Sequence, residues 1–283
     1  MVGIRPRQPC AVRVIMPGVV SAKCIHDISQ KWYHGIADFV PILWNMERKM
    51  MTISENLEGI EQRISDACRR CGRDRSEVTL VGVSKKKPVT AIVEALETTS
   101  LRDFGENYVQ EYVEKRAMLG DAKGVRFHLI GHLQRNKVRQ LMSCPPDLIH
   151  SVDSLALARQ IEQVTAELYP TRRQAILIEL RIGDEDGEKT GLPVGQLEAL
   201  VEFVDSCAHL ELKGLMLIPP ASEDPEAARP YFRQVRELLM RLNEHRARRL
   251  EILSYGMSHD FEVAIEEGAT HVRIGTAIFG ARS

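Results

Sequence analysis

From residue 78 onward the chain repeats one unit: a short β-rich apolar run, a polar or glycine-containing turn, then an amphipathic helix. The runs are "VTLVGVSK" (78–85), "RDFGEN" (102–107), "RFHLIG" (126–131), "LIHSVD" (148–153), "AILIELRI" (175–182), "LKGLMLI" (212–218), "EILSYGM" (251–257) and "HVRIGTAIFG" (271–280). Helical periodicity fits between them, for example over 89–98, with Val89, Ile92, Val93 and Leu96 inward, and over the charged stretch 224–247. Eight strands, each followed by a helix, predict a single-domain α/β (β/α)8 barrel rather than an open sheet. A doubly wound sheet is the alternative, but no G-x-G-x-x-G follows the first run.

Composition narrows the ligand. A formal net charge of -1 gives no global field to draw in nucleic acid or an acidic membrane, so an anion site has to be local and its ligand small. No apolar run approaches the ~18 residues that span a bilayer. The charge-rich stretches "ERKMM" and "RLNEHRARR" lack interleaved aromatic residues and read as solvated faces, not nucleic-acid sites. Six scattered cysteines (Cys10, Cys24, Cys68, Cys71, Cys144, Cys207) suit free thiols in a reducing, cytoplasmic setting. Cys68 and Cys71 form a CxxC on a helix, with no second pair or nearby histidine to complete a metal set, so no metal site is expected. Residues 1–50 carry seven Lys/Arg against three Asp/Glu and no sustained period. They resemble a transit peptide weakly and read better as an upstream extension, with Met50 or Met51 as the start of a barrel over 51–283. Thr52 and Glu55 then form a capping box that opens a helix with Ile53, Leu57, Ile60 and Ile64 on one face.

Active sites of such barrels lie at the C-terminal ends of the strands, with phosphate commonly held after strands seven and eight. Strand seven ends in "YGMSHD", where Gly256 permits an unusual turn and Ser258 is placed to cap the next helix. Strand eight ends in "RIGTAIFGAR", where Gly275 lets backbone approach a ligand and Thr276 offers a hydroxyl and an N–H. These residues suit a phosphate cup, and equally ordinary turn chemistry. Strand one ends at the same face in three lysines. A lysine facing a phosphate-anchored aldehyde suggests pyridoxal phosphate held as a Schiff base. Val81, Val83 and Lys85 share one face by parity, while Lys87 precedes Pro88 and belongs to the turn, so Lys85 is the candidate. Taken alone, the three lysines read equally well as a solvated turn.

The segments "VGVSKKKP", "FGENYVQE", "FHLIGHLQRNK", "SVDS", "LKGLMLIP", "LSYGMSHDFEVAI" and "VRIGTAIFGAR" resemble the pyridoxal phosphate homeostasis proteins, single-domain relatives of the alanine racemase N-terminal barrel (fold type III). The likeness runs from about residue 52 to 283, and residues 1–50 have no counterpart in it. It implies that Lys85 is the Schiff-base lysine, that Ser258, Gly275 and Thr276 hold the phosphate, and that Arg273 lies against the pyridine nitrogen. It also places Asn107, His128 and Met216 along the pocket. The family often has Thr where this chain has Lys86.

An arginine at that nitrogen cannot give up its proton, so the ring stays unprotonated and chemistry at Cα is weak. Alanine racemase takes a catalytic tyrosine from a second domain, and here the chain stops at Ser283, a few residues after strand eight. The expectation is a cofactor carrier that buffers pyridoxal phosphate, supplies apo-enzymes, has little or no turnover and is a monomer. The alternative is an amino-acid racemase or related enzyme. His132, Gln134, Arg135, Asn136 and Lys137 after strand three suit ligand contact or solvation equally, and "GDEDGEKTG" (183–191) resembles a lid over the cofactor. His150 and His271 read as strand-packing or surface histidines.

Overall fold

The apolar runs become strands because their branched and aromatic residues suit a pleated surface covered on both faces. The computed structural model describes residues 52–120, 124–183, 190–244 and 246–280. The extension expected over 1–50, and the central residues of the expected lid, 184–189, lie outside them. The strands are β1 (Thr79–Val83), β2 (Asp103–Glu106), β3 (Arg126–Leu129), β4 (Leu148–Val152), β5 (Gln174–Arg181), β6 (Leu210–Leu217), β7 (Ile252–Ser254) and β8 (His271–Ile274). Each pairs in parallel with the one before it, and β8 pairs with β1, which closes the (β/α)8 barrel. Leu192 and Pro193 add a short parallel pairing beside the end of β5.

The helices are α1 (Ile53–Arg70), α2 (Val89–Thr98), α3 (Val109–Leu119), α4 (Val138–Leu141), α5 (Leu155–Leu168), α6 (Leu197–Ser206), α7 (Arg229–Asn243), α8 (Phe261–Glu266) and α9 (Thr276–Phe279). The capping box opens α1 as expected: the Glu55 N–H donates to Thr52 Oγ1 at 3.2 Å, and the Thr52 N–H donates to Glu55 Oε2 at 2.8 Å. α1 precedes the barrel in sequence but packs between α2 and α8, filling the ring position that the short α9 leaves open. Arg63 and Arg70 bind Glu262 and Glu266 of α8 across that junction.

Element ends depart from the sequence pattern for local reasons. β1 stops at Val83, not 85, because the chain turns there: the Lys87 N–H donates to Ser84 O at 3.0 Å, and Lys86 takes a positive φ of 59°. β8 stops at Ile274, and the rest of its apolar run winds into α9. The helix expected over 224–247 is shorter. Asp224 caps a 3-10 turn at Pro225–Ala228 by accepting from the Glu226 N–H, and α7 then runs only to Asn243, whose amide binds the backbone of Leu250.

Alternate residues of each strand face opposite ways. One set, including Leu80, Phe104, Phe127, Ile149, Ile176, Ile178, Leu215, Leu253, Val272 and Ile274, joins the inner faces of the helices in one continuous apolar layer. Each such side chain is worth roughly 1.5–3 kcal/mol when fully buried. The other set fills the lumen and is mixed. Leu148, Leu177 and Met216 form a small separate apolar cluster, while Asp103, His128, His150, Glu179, Ser254 and Arg273 are buried and polar.

Candidate functional site

A cavity of about 310 Å³ opens at the C-terminal ends of the strands. Its lining follows the strand ends in turn: Val83 and Lys85 at β1, Asn107 after β2, Ile130 after β3, Ile218 after β6, Met257 to His259 after β7, and Arg273, Gly275 and Thr276 at β8, with Lys87, Phe279 and Gly280 completing it. Six of the eight expected site residues therefore share one cavity: Lys85, Asn107, Ser258, Arg273, Gly275 and Thr276. His128 and Met216 are not among its lining. His128 is 3% exposed and hydrogen bonded within the lumen, and Met216 is fully buried against Leu148 and Leu177.

Lys85 keeps the inward parity of Val81 and Val83, and a buried clamp outside the barrel holds the turn that carries it. Lys115, on the inner face of α3, donates to Ser84 O at 2.7 Å and to Glu106 Oε1 at 2.7 Å, and Ser84 Oγ donates to the same carboxylate at 2.5 Å. The Lys86 N–H donates to Glu111 Oε2 at 2.7 Å, which secures the residue with positive φ. Burial pushes the Glu106 carboxyl up, against the lowering effect of Lys115 and Ser84, and its Oε2 has no protein partner. Neither Lys115 nor Glu106 stands out in the sequence as a site residue. The available signal was a lysine three residues after the buried Tyr112, on the same stripe of α3.

Arg273 is buried at the cavity wall. Its Nη1 donates to Ser254 O and Ser254 Oγ, each at 2.8 Å, and its Nη2 donates to Leu217 O at 3.1 Å. All three acceptors are uncharged. Burial pulls its pKa down to about 10 against the opposing fields of Glu179 and Asp260, so it remains a cation at neutral pH. Asn107 has a close neighbour in Gly131, where a Cβ would stand 2.3 Å from Asn107 O; only glycine allows that approach. Gly256, at φ 91°, turns the chain toward Ser258. Ser258 does not cap α8 as expected: Asp260 occupies the cap position, and its carboxylate accepts from the Met257 N–H at 2.6 Å.

Other expectations resolve by position. His132, Gln134, Arg135, Asn136 and Lys137 are exposed and do not line the cavity, and His132 pairs with Asp153 at 3.2 Å. Cys68 is buried on α1 and Cys71 donates to Ala67 O, and no group of potential metal ligands occurs among the described residues. Among the same residues no helix is long and apolar enough to cross a membrane. His150 and His271 do pack against strands, but both also belong to a polar cluster with His128.

The family model for the alanine racemase N-terminal domain matches residues 56–283. The chain belongs to the alanine racemase N-terminal domain family. Within that family it is 43% identical over 232 residues to the pyridoxal phosphate homeostasis protein of Aquifex aeolicus, a match covering 82% of this chain and 99% of that protein. It is 42% identical to the protein of that name from Escherichia coli K12, covering 82% of this chain and 98% of that one. PipY of Synechococcus elongatus PCC7942, solved with PLP bound, superposes with a TM-score of 0.69 at 34% identity, covering 81% of this chain and all of that one. Alanine racemase from Corynebacterium glutamicum shares the fold at 13% identity and a TM-score of 0.60, over 80% of this chain and 62% of the racemase.

Proposed function

We propose that the cavity binds pyridoxal 5'-phosphate, captured covalently by the Lys85 amine, and that the chain serves intracellular vitamin B6 homeostasis by holding the cofactor for delivery to apo-enzymes. The observation that carries this reading is one cavity containing a lysine from the end of β1 and a buried arginine whose protein acceptors are all neutral. The residues present suit the group. Val83, Ile130 and Phe279 give apolar walls for a ring, Ser258 and Thr276 give hydroxyls for a phosphate, and Gly275 brings backbone close. The volume falls at the small end of ligand pockets. The relatives' names and the PLP-bound PipY structure support the same ligand.

The cofactor, when bound, supplies a reactive aldehyde and a ring whose electron demand depends on its nitrogen. Arg273 would orient that ring by donating to its nitrogen. With a pKa of about 10 it holds its proton there and does not transfer it. A carboxylate at the same place would favour the protonated ring; the arginine does the reverse, which weakens chemistry at a substrate carbon. The Ser84–Glu106–Lys115 clamp holds the turn that carries Lys85, and Ser258 and Thr276 would hold the phosphate. Storage with little turnover is the outcome this arrangement supports, and it needs no second copy of the chain.

The test is an absorbance spectrum of protein incubated with pyridoxal phosphate. A visible band that borohydride abolishes in wild type, and that Lys85→Ala lacks, supports covalent capture at Lys85; no band in wild type overturns it. Steady interconversion of D- and L-alanine or serine, abolished by Lys85→Ala, would favour the racemase reading instead.

A further inference from the structure

Five buried polar side chains form an unbroken line through the lumen, from the cavity wall to the opposite mouth of the barrel. Arg273 Nη1 reaches Ser254 Oγ at 2.8 Å, Ser254 Oγ lies 2.8 Å from His150 Nδ1, His150 Nε2 lies 2.8 Å from His128 Nδ1, and His128 Nε2 lies 3.1 Å from Asp103 Oδ1. At the far end Asp103 is gripped by Arg126, whose Nε and Nη2 donate to its two oxygens at 2.6 and 2.5 Å. Arg126 and Asp103 are the first residues of β3 and β2, whereas Arg273 is the third of four in β8. The line thus spans the barrel from its N-terminal mouth to the cavity.

The two ends decide the direction of every proton between them. A guanidinium only donates, so Ser254 Oγ accepts from Arg273. A carboxylate only accepts, and Asp103 is ionised, because the hydrogen bonds from His128 and Arg126 outweigh the opposing effect of burial. The His128 proton therefore sits on Nε2, leaving Nδ1 as an acceptor. The His150 proton must then sit on Nε2, leaving its Nδ1 to accept from the Ser254 hydroxyl. Each group makes one donation forward and takes one from behind. The opposite arrangement, a charged His128, would make His150 Nδ1 a second donor to Ser254 Oγ and leave the serine proton with no acceptor among the described residues. It would also add a cation to a lumen that already holds Arg273 and in which burial keeps His150 and His271 neutral.

We infer that this line is a one-way donor ladder that locks the orientation of the Arg273 guanidinium, and that Ser254, His150, His128 and Asp103 are positioning residues for it. Three of the five N–H groups of Arg273 go to Ser254 and Leu217, which leaves Nε–H and one Nη2–H for a ligand in the cavity. If Ser254 could turn its proton toward the arginine, the guanidinium would lose an acceptor and swing. The histidines prevent that by demanding the serine proton themselves. The other charged groups whose fields reach Arg273, Glu179 and Asp260, act without a direct hydrogen bond and so do not fix its angle. The effect on a bound pyridine rests on the function proposed above; the ladder itself does not.

Two measurements on the full chain separate these statements. Without cofactor, nitrogen-15 spectra of histidine- and arginine-labelled protein at pH 7 are expected to show His128 and His150 as neutral Nε2–H tautomers, and separate, slowly exchanging Nη signals for Arg273. Ser254→Ala and His150→Leu are expected to merge those arginine signals, and Ser254→Thr, which keeps the hydroxyl, to preserve them. With pyridoxal phosphate, Ser254→Ala and His150→Leu are expected to shift the absorbance maximum and weaken retention about tenfold, while Ser254→Thr behaves as wild type. An Nδ1–H tautomer at either histidine, or Arg273 signals unchanged in Ser254→Ala, would overturn the ladder even if the cofactor binds. Absence of any band in wild type would overturn the function and leave the ladder to be judged by the tautomers.

Discussion

On β8, Val272 and Ile274 join the apolar layer beneath the helices, while His271 and Arg273, their immediate neighbours, enter the lumen among His128, His150 and Ser254. The same alternation on β4 sends Ile149 outward and His150 inward. The outer layer is bound by area alone, so its residues are interchangeable in kind if volume is kept. The polar line through the lumen is bound by directed hydrogen bonds, where each member has one permitted proton position. The difference teaches that stability and function occupy opposite faces of the same strands: substitutions on one face change folding free energy, and substitutions on the other change what the cavity presents.

The largest effect that sharpens this contrast is on the outer face. Phe127 is fully buried, with its ring stacked 5.9 Å from Phe104 and edge-on to Tyr112 at 6.0 Å. Phe127→Ala is expected to cost about 3–5 kcal/mol in denaturant unfolding while leaving cofactor affinity per folded molecule unchanged. An affinity loss beyond the unfolded fraction would show that the two faces are coupled.

One feature of the outer face breaks the rule. Lys115 and Glu106 are a charge pair in the apolar layer, 8% and 0% exposed, and they hold the Lys85 turn from behind. Lys115→Met leaves Glu106 buried without its cation and is expected to cost about 3 kcal/mol or more. Removing both partners, as Lys115→Met with Glu106→Leu, is expected to recover most of that stability, because no charge is then stranded. Borohydride trapping of cofactor should stay impaired in the double variant, since Ser84 O has still lost its donor. Full recovery of trapping would confine the pair to a structural role.

The lumen is expected to report itself through pH. Burial keeps His150 neutral far below its ordinary range and pulls His271 down to about 3, whereas unfolded histidine titrates near ~6.5. The unfolded chain binds these protons first, so stability falls as pH drops from about 6.5, by up to about 1.4 kcal/mol per pH unit for each histidine. Asp103 is lowered in the folded chain, so its contribution is present above the unfolded value near ~3.9 and is lost as pH falls through the folded one. His271→Leu is expected to flatten the decline between pH 6 and 4, and Asp103→Asn to flatten only its most acidic part. An unchanged slope in His271→Leu would mean that this histidine is not held neutral.

What could be read from the sequence follows the same division. Strand alternation and helix periodicity come from many apolar residues acting together, so all eight strands and the capping box at Thr52 were legible. Their ends were less so, because β1 ends in a turn at Ser84–Lys87 that Glu111 and Lys115 of α3 hold from a distance in the chain, and β8 ends on a change of winding. In the site, parity carried Lys85 into the cavity with Val83, and the likeness to the family placed Arg273 there. His150 looked like an ordinary strand histidine because a ladder is a property of distances between strands, and no spacing within one strand encodes it. For Lys115 the helix stripe shared with Tyr112 could show burial but not its partners, which lie on β2 and in the turn after β1.

Met216 gives the smallest and most discriminating test of the contrast. It was expected to line the pocket, but the side chain lies fully buried with Leu148 and Leu177, in the only apolar cluster found in the lumen among the described residues. A volume-conserving Met216→Leu is expected to cost less than about 1.5 kcal/mol and to leave cofactor affinity within twofold of wild type. It should also leave the Arg273 signals unmoved, since Met216 has no part in the donor ladder even though Leu217, the next residue, accepts from Arg273. A clear loss of affinity at unchanged stability would mean that the cavity extends down to Met216 when a ligand is bound, which would put an apolar ligand contact beside the ladder and return this residue to the role its sequence position suggested.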